Sequence, residues 1–254
     1  MARNQKPLKS ELGRSTTDTV IVRGFDLPRE LMGHIDFGDM AFLQITGRRP
    51  SSSESIVFNA MLVSLVEHGM TPSAIATRMV LAGAPEALQA AVGAGLNSLG
   101  SRFAGTMEGA ARVLQAALPD AQTGDIKAIA KDVVEDHTKR RDFLPGIGHP
   151  LHTPVDPRAE RLRAIAQEQD LAGPYVALMW EISIQASETS GRILPVNVTG
   201  AIGALLCELG LDWRLARGMA VMSRAVGLVG HAWEEMNTPM ADEVYQRIDD
   251  EVSR

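Results

Sequence analysis

Beyond Leu31 the chain is a succession of apolar runs, most of them opened by a helix-start signal and closed by a helix-stop signal. Proline, glycine and capping side chains recur at helix-length intervals, which leaves little room for anything but a helical fold. Ser51-Ser-Ser-Glu54, after Pro50, is a capping box opening a helix predicted to reach His68, with Gly69 as its stop. That helix is apolar almost all round, the pattern of a central, buried element. Thr71-Pro72 opens the next, ended by Gly83, and Pro85 opens another. Further helices are predicted over 104–118, 125–137, 156–169, 173–187 and 199–209, and a last long one from about Asp212 to Glu235. The plausible strands are short and early, around Thr19-Val-Ile-Val22 before a turn at Gly24. The fold class is therefore mainly α, with at most a short N-terminal β hairpin.

A chain of 254 residues can bury a substantial core, as one large domain or two unequal ones. Its net charge of -6 is mild and gives no reason to expect nucleic acid or a polyanionic surface as partner. The single cysteine, Cys207, lies in an apolar helical run, cannot form an internal disulfide, and fits buried packing in a reducing cytosol. Residues 1–14 are polar and basic without an apolar stretch, unlike a signal peptide. The apolar run from Ile56 to Val66 contains Asn59 and Ser64 and is too short to span a bilayer. The expectation is a cytoplasmic protein without a membrane partner.

The stretch richest in chemistry is Pro145-Gly-Ile-Gly-His149-Pro-Leu-His152-Thr-Pro-Val-Asp156-Pro157-Arg158. Gly146 and Gly148 permit close approach of the backbone to a ligand. Asp156 is a good N-cap, Pro157 suits the first helical position, and Arg158 falls in the first turn, where a cation opposes the helix dipole. Two readings are open. Either His149 and Arg158 together grip a carboxylate or oxyanion brought from outside, or the helix is merely capped, with Glu160 balancing the dipole and His149 bonded within its loop. His149 and His152 also resemble a metal pair. Pro150 interrupts the helix that useful ligand spacing requires, and no cysteine or carboxylate set completes the site, so no metal is expected.

This stretch resembles the Gly-x-Gly-His…Asp-Pro-Arg signature of the citrate synthase superfamily, and four further pieces follow in the family's order. Val66-Glu67-His68-Gly69 is similar to the Ala-Asp-His-Gly motif of citryl-CoA lyases and of the C-terminal module of ATP-citrate lyase. Leu99-Gly-Ser-Arg102-Phe103-Ala-Gly105 is similar to the Gly-Asp-Arg-Phe-Gly-Gly stretch of that lyase branch. Asn197-Val-Thr199-Gly200 stands where the family has Asn-Val-Asp-Gly. Ser223-Arg224-Ala-Val-Gly227-Leu-Val-Gly230-His231 resembles its Arg-x-x-Gly-x-x-x-His helix. The likeness runs from about Arg23 to His231. It implies a two-domain helical fold: residues 1–104 and 195–254 as the large, dimerising domain, and 105–194 as the small one, with the ligand in the cleft between. It also implies a homodimer or higher homo-oligomer, acting on a coenzyme A thioester and a small carboxylic acid.

The resemblance implies roles residue by residue. His149 hydrogen-bonds the substrate hydroxyl or carbonyl, and His68 holds a carboxylate. His68 ends a helix, whose dipole favours the charged form. Arg158 and Arg224 clamp carboxylates, bidentate pairing being the reason for arginine. Lys139-Arg140-Arg141, just before the glycine loop, either neutralise coenzyme A phosphates or are simply solvated. Three positions depart from the family. Phe103 replaces the synthases' enol-stabilising histidine, as in the lyase branch. Thr199 replaces the catalytic aspartate; a threonine hydroxyl is no general base near neutral pH, and a helix N-cap is its plainer role. Asn237-Thr238-Pro239 stands near the place of an arginine supplied by the neighbouring subunit, which implies a substrate with fewer carboxylates than citrate. Glu67 and Glu108 are candidate replacement bases or arginine partners. The implied activity is citryl-CoA lyase-like cleavage or formation of a C–C bond between an acyl-CoA and an oxo acid. The alternatives are citrate or methylcitrate synthase-type condensation, or a non-catalytic paralogue that binds acyl-CoA or a carboxylate.

Overall fold

The computed structural model describes residues 9–101, 104–119, 124–149 and 151–254. By contacts the chain divides into two compact units, Met1–Asn59 and Ala60–Arg254.

The first unit opens with a three-stranded antiparallel sheet of β1 (Gly13–Ser15), β2 (Val20–Val22) and β3 (Phe25–Asp26), in that order. Val22 pairs with Phe25 across a two-residue turn. Arg23 and Gly24 both take positive φ there, 50° and 89°, matching the right-handed twist of a tight hairpin. The expected hairpin is therefore present, and β1 extends it through pairing of Gly13 with Val22. A single π turn over Leu27–Leu31 follows, capped by Asp26, then α1 (Phe37–Thr46) and α2 (Ser52–Val66). The predicted capping box forms: Glu54 accepts from the Ser51 backbone N–H at 2.8 Å, and Ser51 Oγ accepts from that of Glu54 at 3.2 Å. The core joins Val22, Leu31 and Leu43, and the Phe42 and Phe58 rings meet edge to face at 5.2 Å. The all-round apolar pattern of α2 does not mean all-round burial. Phe58 and Met61 are fully buried, but Ile56 is 47 % and Val63 71 % exposed.

The second unit is helical: α3 (Pro72–Gly83), α4 (Leu88–Asn97), α5 (Gly105–Ala117), α6 (Ile126–Arg140), α7 (Pro157–Glu168), α8 (Pro174–Ser190), α9 (Val198–Glu208), α10 (Ala216–Asn237) and α11 (Ala241–Val252). Helix α10 packs on α3 and α4, while α9 packs on α5, α7 and α8, and α6 packs on α8. Nearly every residue of α9 is buried. At Gly203 an added Cβ would lie 2.9 Å from that of Ala110, so the missing side chain lets α9 touch α5. Two features of the C-terminal region differ from expectation. Asp212 caps a short 3₁₀ turn (Trp213–Leu215) before α10 begins, and α11 follows beyond Pro239. Glu235 of α10 accepts from the backbone N–H groups of Met240 and Ala241 at 2.9 Å each, satisfying donors at the α11 N-terminus.

Candidate functional site

The glycine loop is fastened to the N-terminus of α9. Gly148 N–H donates to Pro195 O at 2.7 Å, Asn197 N–H to Gly146 O at 3.0 Å, and Asn197 Nδ2 to Gly148 O at 2.8 Å. Gly146 and Gly148 take φ of 89° and 75°, which glycine adopts without strain. The close approach that glycine allows is made to protein: a Cβ on Gly200 would stand 2.1 Å from Gly146 O. Asn197 is the N-cap of α9, its Oδ1 accepting from the N–H groups of Thr199 and Gly200 at 3.0 and 3.1 Å. This corrects the capping role expected of Thr199. Thr199 sits inside the first turn and donates its hydroxyl to Asn197 Oδ1 at 2.7 Å.

Asp156 performs the capping expected of it and more. Its fully buried carboxylate accepts from Arg158 N–H at 3.0 Å and from Val198 N–H at 3.0 Å, tying the starts of α7 and α9 together. It also takes a bidentate pair from the Arg158 guanidinium, Nε at 3.1 Å and Nη2 at 2.9 Å. Burial works against ionisation, but Arg158 and the backbone donors prevail, and the Asp156 pKa is lowered. Part of the anion demand of Arg158 is thus met within the chain. Its Nη1 edge is left for a second anion, and the side chain remains 26 % exposed.

Three histidines converge beside this pair: nitrogens of His68, His149 and His152 lie within 4.8 Å of one another. The His149 and His152 rings stack with centroids 4.4 Å apart. His149 Nδ1 accepts from the backbone N–H groups of Leu151 and His152 at 3.1 and 3.0 Å. That fixes the neutral tautomer with its proton on Nε2, so the ring presents a donor. A metal-binding histidine has the opposite polarity, its second nitrogen donating to an acceptor. The His149 tautomer therefore does not suit a metal ligand. Burial first, then neighbouring charge, lowers the pKa of His149, and burial followed by Arg158 and Arg224 lowers that of His68. Burial, with the two guanidinium groups, thus works against the charged form expected for His68 from the helix dipole, and helix α2 ends two residues earlier, at Val66. Pairing His149 with His152 was visible in the sequence; their approach to His68 was not, because the loop rather than a helix carries it.

Arg224 is 5 % exposed and largely engaged. It donates to Ser73 Oγ at 3.1 Å, Val66 O at 3.1 Å, Thr71 Oγ1 at 2.6 Å and Glu67 Oε2 at 3.4 Å. Glu67 in turn accepts from His231 Nε2 and from the backbone N–H groups of His68 and Gly69, which holds the His68 turn in place. Arg78 donates to His231 Nδ1 and pairs with Glu235 at 2.9 Å and with Glu234. The result is one polar chain from the end of α10 to the His68 turn. Burial raises and Arg224 with His231 lowers the Glu67 pKa, the net direction being down. Glu67 is therefore an ion-pair partner and a poor base, and Glu108 pairs with Arg217 at 2.9 Å.

The basic triplet closes α6: Lys139 pairs with Glu135 at 3.2 Å and Arg140 with Asp136 at 3.0 Å, all exposed, while Arg141 takes the left-handed C-cap position. Beside them a groove of about 900 Å³ is lined by Phe143, Ile147, Gly148, His149, Arg192 and Leu194 among others. Phe103 lies outside the described residues. Asn237 donates to Trp233 O at 2.7 Å. Among the described residues no helix is long and apolar enough to cross a membrane.

The fold has solved counterparts. It superposes on citryl-CoA lyase from Hydrogenobacter thermophilus with a TM-score of 0.84 and 32 % identity, covering 92 % of this chain and 88 % of that one. ATP citrate lyase from Methanothrix soehngenii, solved with citrate and coenzyme A, shares the fold at a TM-score of 0.75 and 20 % identity, over 92 % of this chain and 40 % of that one. Among curated proteins, a probable ATP-citrate synthase of Dictyostelium discoideum is 26 % identical over 216 residues, 79 % of this chain and 34 % of the relative. Citrate synthase 2 of Bacillus subtilis is 24 % identical over 75 % of this chain and half of its own length. The chain thus spans about a third to a half of these curated relatives. The family description "Citrate synthase, C-terminal domain" matches residues 18–245, and the chain belongs to this family.

Proposed function

We propose that the protein is a citryl-CoA lyase-like enzyme, cleaving a 3-hydroxy acyl-CoA into a shorter acyl-CoA and an oxo acid, or running the reverse condensation. The observation that carries this reading is the near full-length likeness to citryl-CoA lyase from Hydrogenobacter thermophilus, at 32 % identity. The His149 Nε2–H supports it as a donor to the substrate hydroxyl or developing carbonyl oxygen. The open edge of Arg158, with His68 in the same cluster, supplies a carboxylate seat. Arg224 contributes mainly by holding the His68 turn. The groove beside His149 is assigned to the coenzyme A moiety, with Lys139, Arg140 and Arg141 toward its phosphates, Gly148 in its wall, and Gly146 supporting the loop from behind. Phe103 is assigned to the thioester end. Acyl-CoA release from citryl-CoA and a panel of analogues tests the reading; absence of turnover across the panel refutes it.

Two further assignments follow the family. Val226, Val229, Trp233 and Met236 leave an apolar face of α10 48–67 % exposed, which supports a homodimer or higher homo-oligomer. In the domain division, residues 105–194 form the smaller domain against 1–104 and 195–254; the packing of α9 on α5, α7 and α8 argues that the segment carrying Thr199 travels with the smaller one. Sedimentation at micromolar concentration tests the first, a monomer refuting it. The cytoplasm remains the assigned compartment.

One observation favours a second reading. The Thr199 hydroxyl donates to Asn197, and Glu67 and Asp156 are saturated by donors, so no free carboxylate stands among the described residues of the cluster. That is the state of a binding protein without turnover. Calorimetry with coenzyme A thioesters separates the two: tight binding without product selects the binding protein. Condensation of acetyl-CoA with oxaloacetate followed by thiol release would select a synthase.

A further inference from the structure

If the chain cleaves a 3-hydroxy acyl-CoA, as proposed above, some group must take the hydroxyl proton, and the family's carboxylate is absent at Thr199. We infer that His152 is that group, a proton shuttle serving both the hydroxyl oxygen and the enolate carbon. The assignment follows from which lone pairs are free. Asp156 is buried under a bidentate guanidinium and two backbone donors. Glu67 is held by Arg224, His231 and two backbone N–H groups. Thr199 spends its hydroxyl proton on Asn197. His149 has its Nδ1 lone pair filled by two backbone donors, so it presents only Nε2–H. A base must become a cation, and at His68 desolvation, followed by the Arg158 and Arg224 guanidinium groups, opposes that. His152 remains. Its imidazole has no hydrogen-bond partner among the described residues, and its stacking on His149 brings it beside the donor that would hold the same substrate oxygen.

The step balances without any co-reactant. His149 Nε2–H holds the hydroxyl oxygen while the His152 lone pair removes the hydroxyl proton. The C–O bond becomes C=O, the bond from the carbinol carbon to the α-carbon breaks, and its electron pair becomes the thioester enolate. The His152 imidazolium then returns the same proton to the enolate carbon. One thioester becomes an acyl-CoA and an oxo acid, and the imidazole ends as it began.

The test compares wild type, His152→Gln, His68→Gln and His152→Ala with citryl-CoA as probe, folding being checked by circular dichroism. For His152→Gln, kcat should fall about 10²–10⁴-fold with little change in KM. The acidic limb of the kcat–pH profile should vanish in that variant and persist in His68→Gln. Free imidazole should restore rate to His152→Ala in proportion to its unprotonated fraction, a rescue that a purely structural role for His152 would not give. His152→Asn takes the place of the glutamine variant if the latter does not fold. Wild-type kcat in the His152 variants, or loss of the acidic limb in His68→Gln instead, overturns the assignment while leaving the lyase reading intact. An inactive wild type overturns both.

Discussion

Gly200→Ala should dislodge the loop that carries His149, and the effect can be worked from distances. An added Cβ would lie 2.1 Å from Gly146 O and 2.9 Å from Gly146 C and Cα. These are backbone atoms, so no side-chain rotation relieves the clash; the glycine loop or the start of α9 must move by about an ångström. Overpacking of this kind costs about 1–3 kcal/mol, set against a helix-propensity gain for alanine of at most about 1 kcal/mol. Gly93, in the middle of α4, is the internal control, because its Cβ would meet nothing within 4 Å. Gly93→Ala should therefore stabilise by about 0.5–1 kcal/mol. Gly200→Ala should lose a net of about 1–2 kcal/mol, lowering Tm by about 2–8 °C in a chain of this size. Displacing His149 by an ångström should also cut kcat for the proposed C–C cleavage of citryl-CoA by about 10²-fold. Thermal unfolding and single-turnover assays read both effects. If Gly200→Ala raises Tm alongside Gly93→Ala and leaves kcat alone, the loop and α9 are not locked as described.

Further perturbations test the polar chain and the buried groups. Arg78 is 1 % and Glu235 5 % exposed, so Arg78→Met should cost about 3–5 kcal/mol in denaturant unfolding by stranding the carboxylate. Adding Glu235→Gln should recover part of that, since glutamine still accepts from Met240 and Ala241. His68 and His149 both have pKa values lowered in the folded state, so folding favours their neutral forms. Their contribution is complete above the ordinary value of 6.5 and is lost as pH falls through the folded values; Tm measured from pH 7.5 downward should drop less steeply in His68→Gln/His149→Gln. An equal slope would refute the preference of the fold for the neutral imidazoles. Burial pushes the Cys207 thiol up to about 12, so it should resist a disulfide reagent at pH 8 in the native protein and react fully once unfolded.

The helical fold was legible because its punctuation is local. Asp125, Asp156 and the Ser51–Glu54 box act within one turn of themselves, and each caps the helix predicted for it. The element missed, α11, follows Pro239 and carries mostly charged residues with few apolar ones, and its start is satisfied by Glu235 on another helix, which no local pattern announces. The site divides in the same way. Asp156 as cap and His149 beside a glycine turn are readable from neighbours in the chain. The bidentate hold of Asp156 on Arg158 belongs to neither open reading of the spacing, although the two are two residues apart: one leaves Arg158 to an external anion, the other lets Asp156 cap the helix while Glu160 balances the dipole. The partners of Arg224 and the meeting of His68 with His149 span more than eighty residues and depend on how the His68 turn, the glycine loop and α10 come together.

The exchange of the family's aspartate for Thr199 is more than the loss of a base. Asn197 faces two ways: its Oδ1 accepts from two backbone donors and from the Thr199 hydroxyl, while its Nδ2 holds Gly148 O. An aspartate side chain at 199 would lack the hydroxyl donor that threonine gives Asn197 Oδ1. The helix dipole would welcome that carboxylate by about 0.3–1 kcal/mol, against the roughly 0.5–1.5 kcal/mol net of the hydrogen bond lost. Asn197 cannot simply flip, because its amide nitrogen is committed to the loop bearing His149. Threonine is thus compatible with a rigid junction in which the loop, the cap and the first turn of α9 share one hydrogen-bond network. In this chain the position stabilises the junction that holds the His149 loop, and under the proposed shuttle the proton chemistry falls to His152.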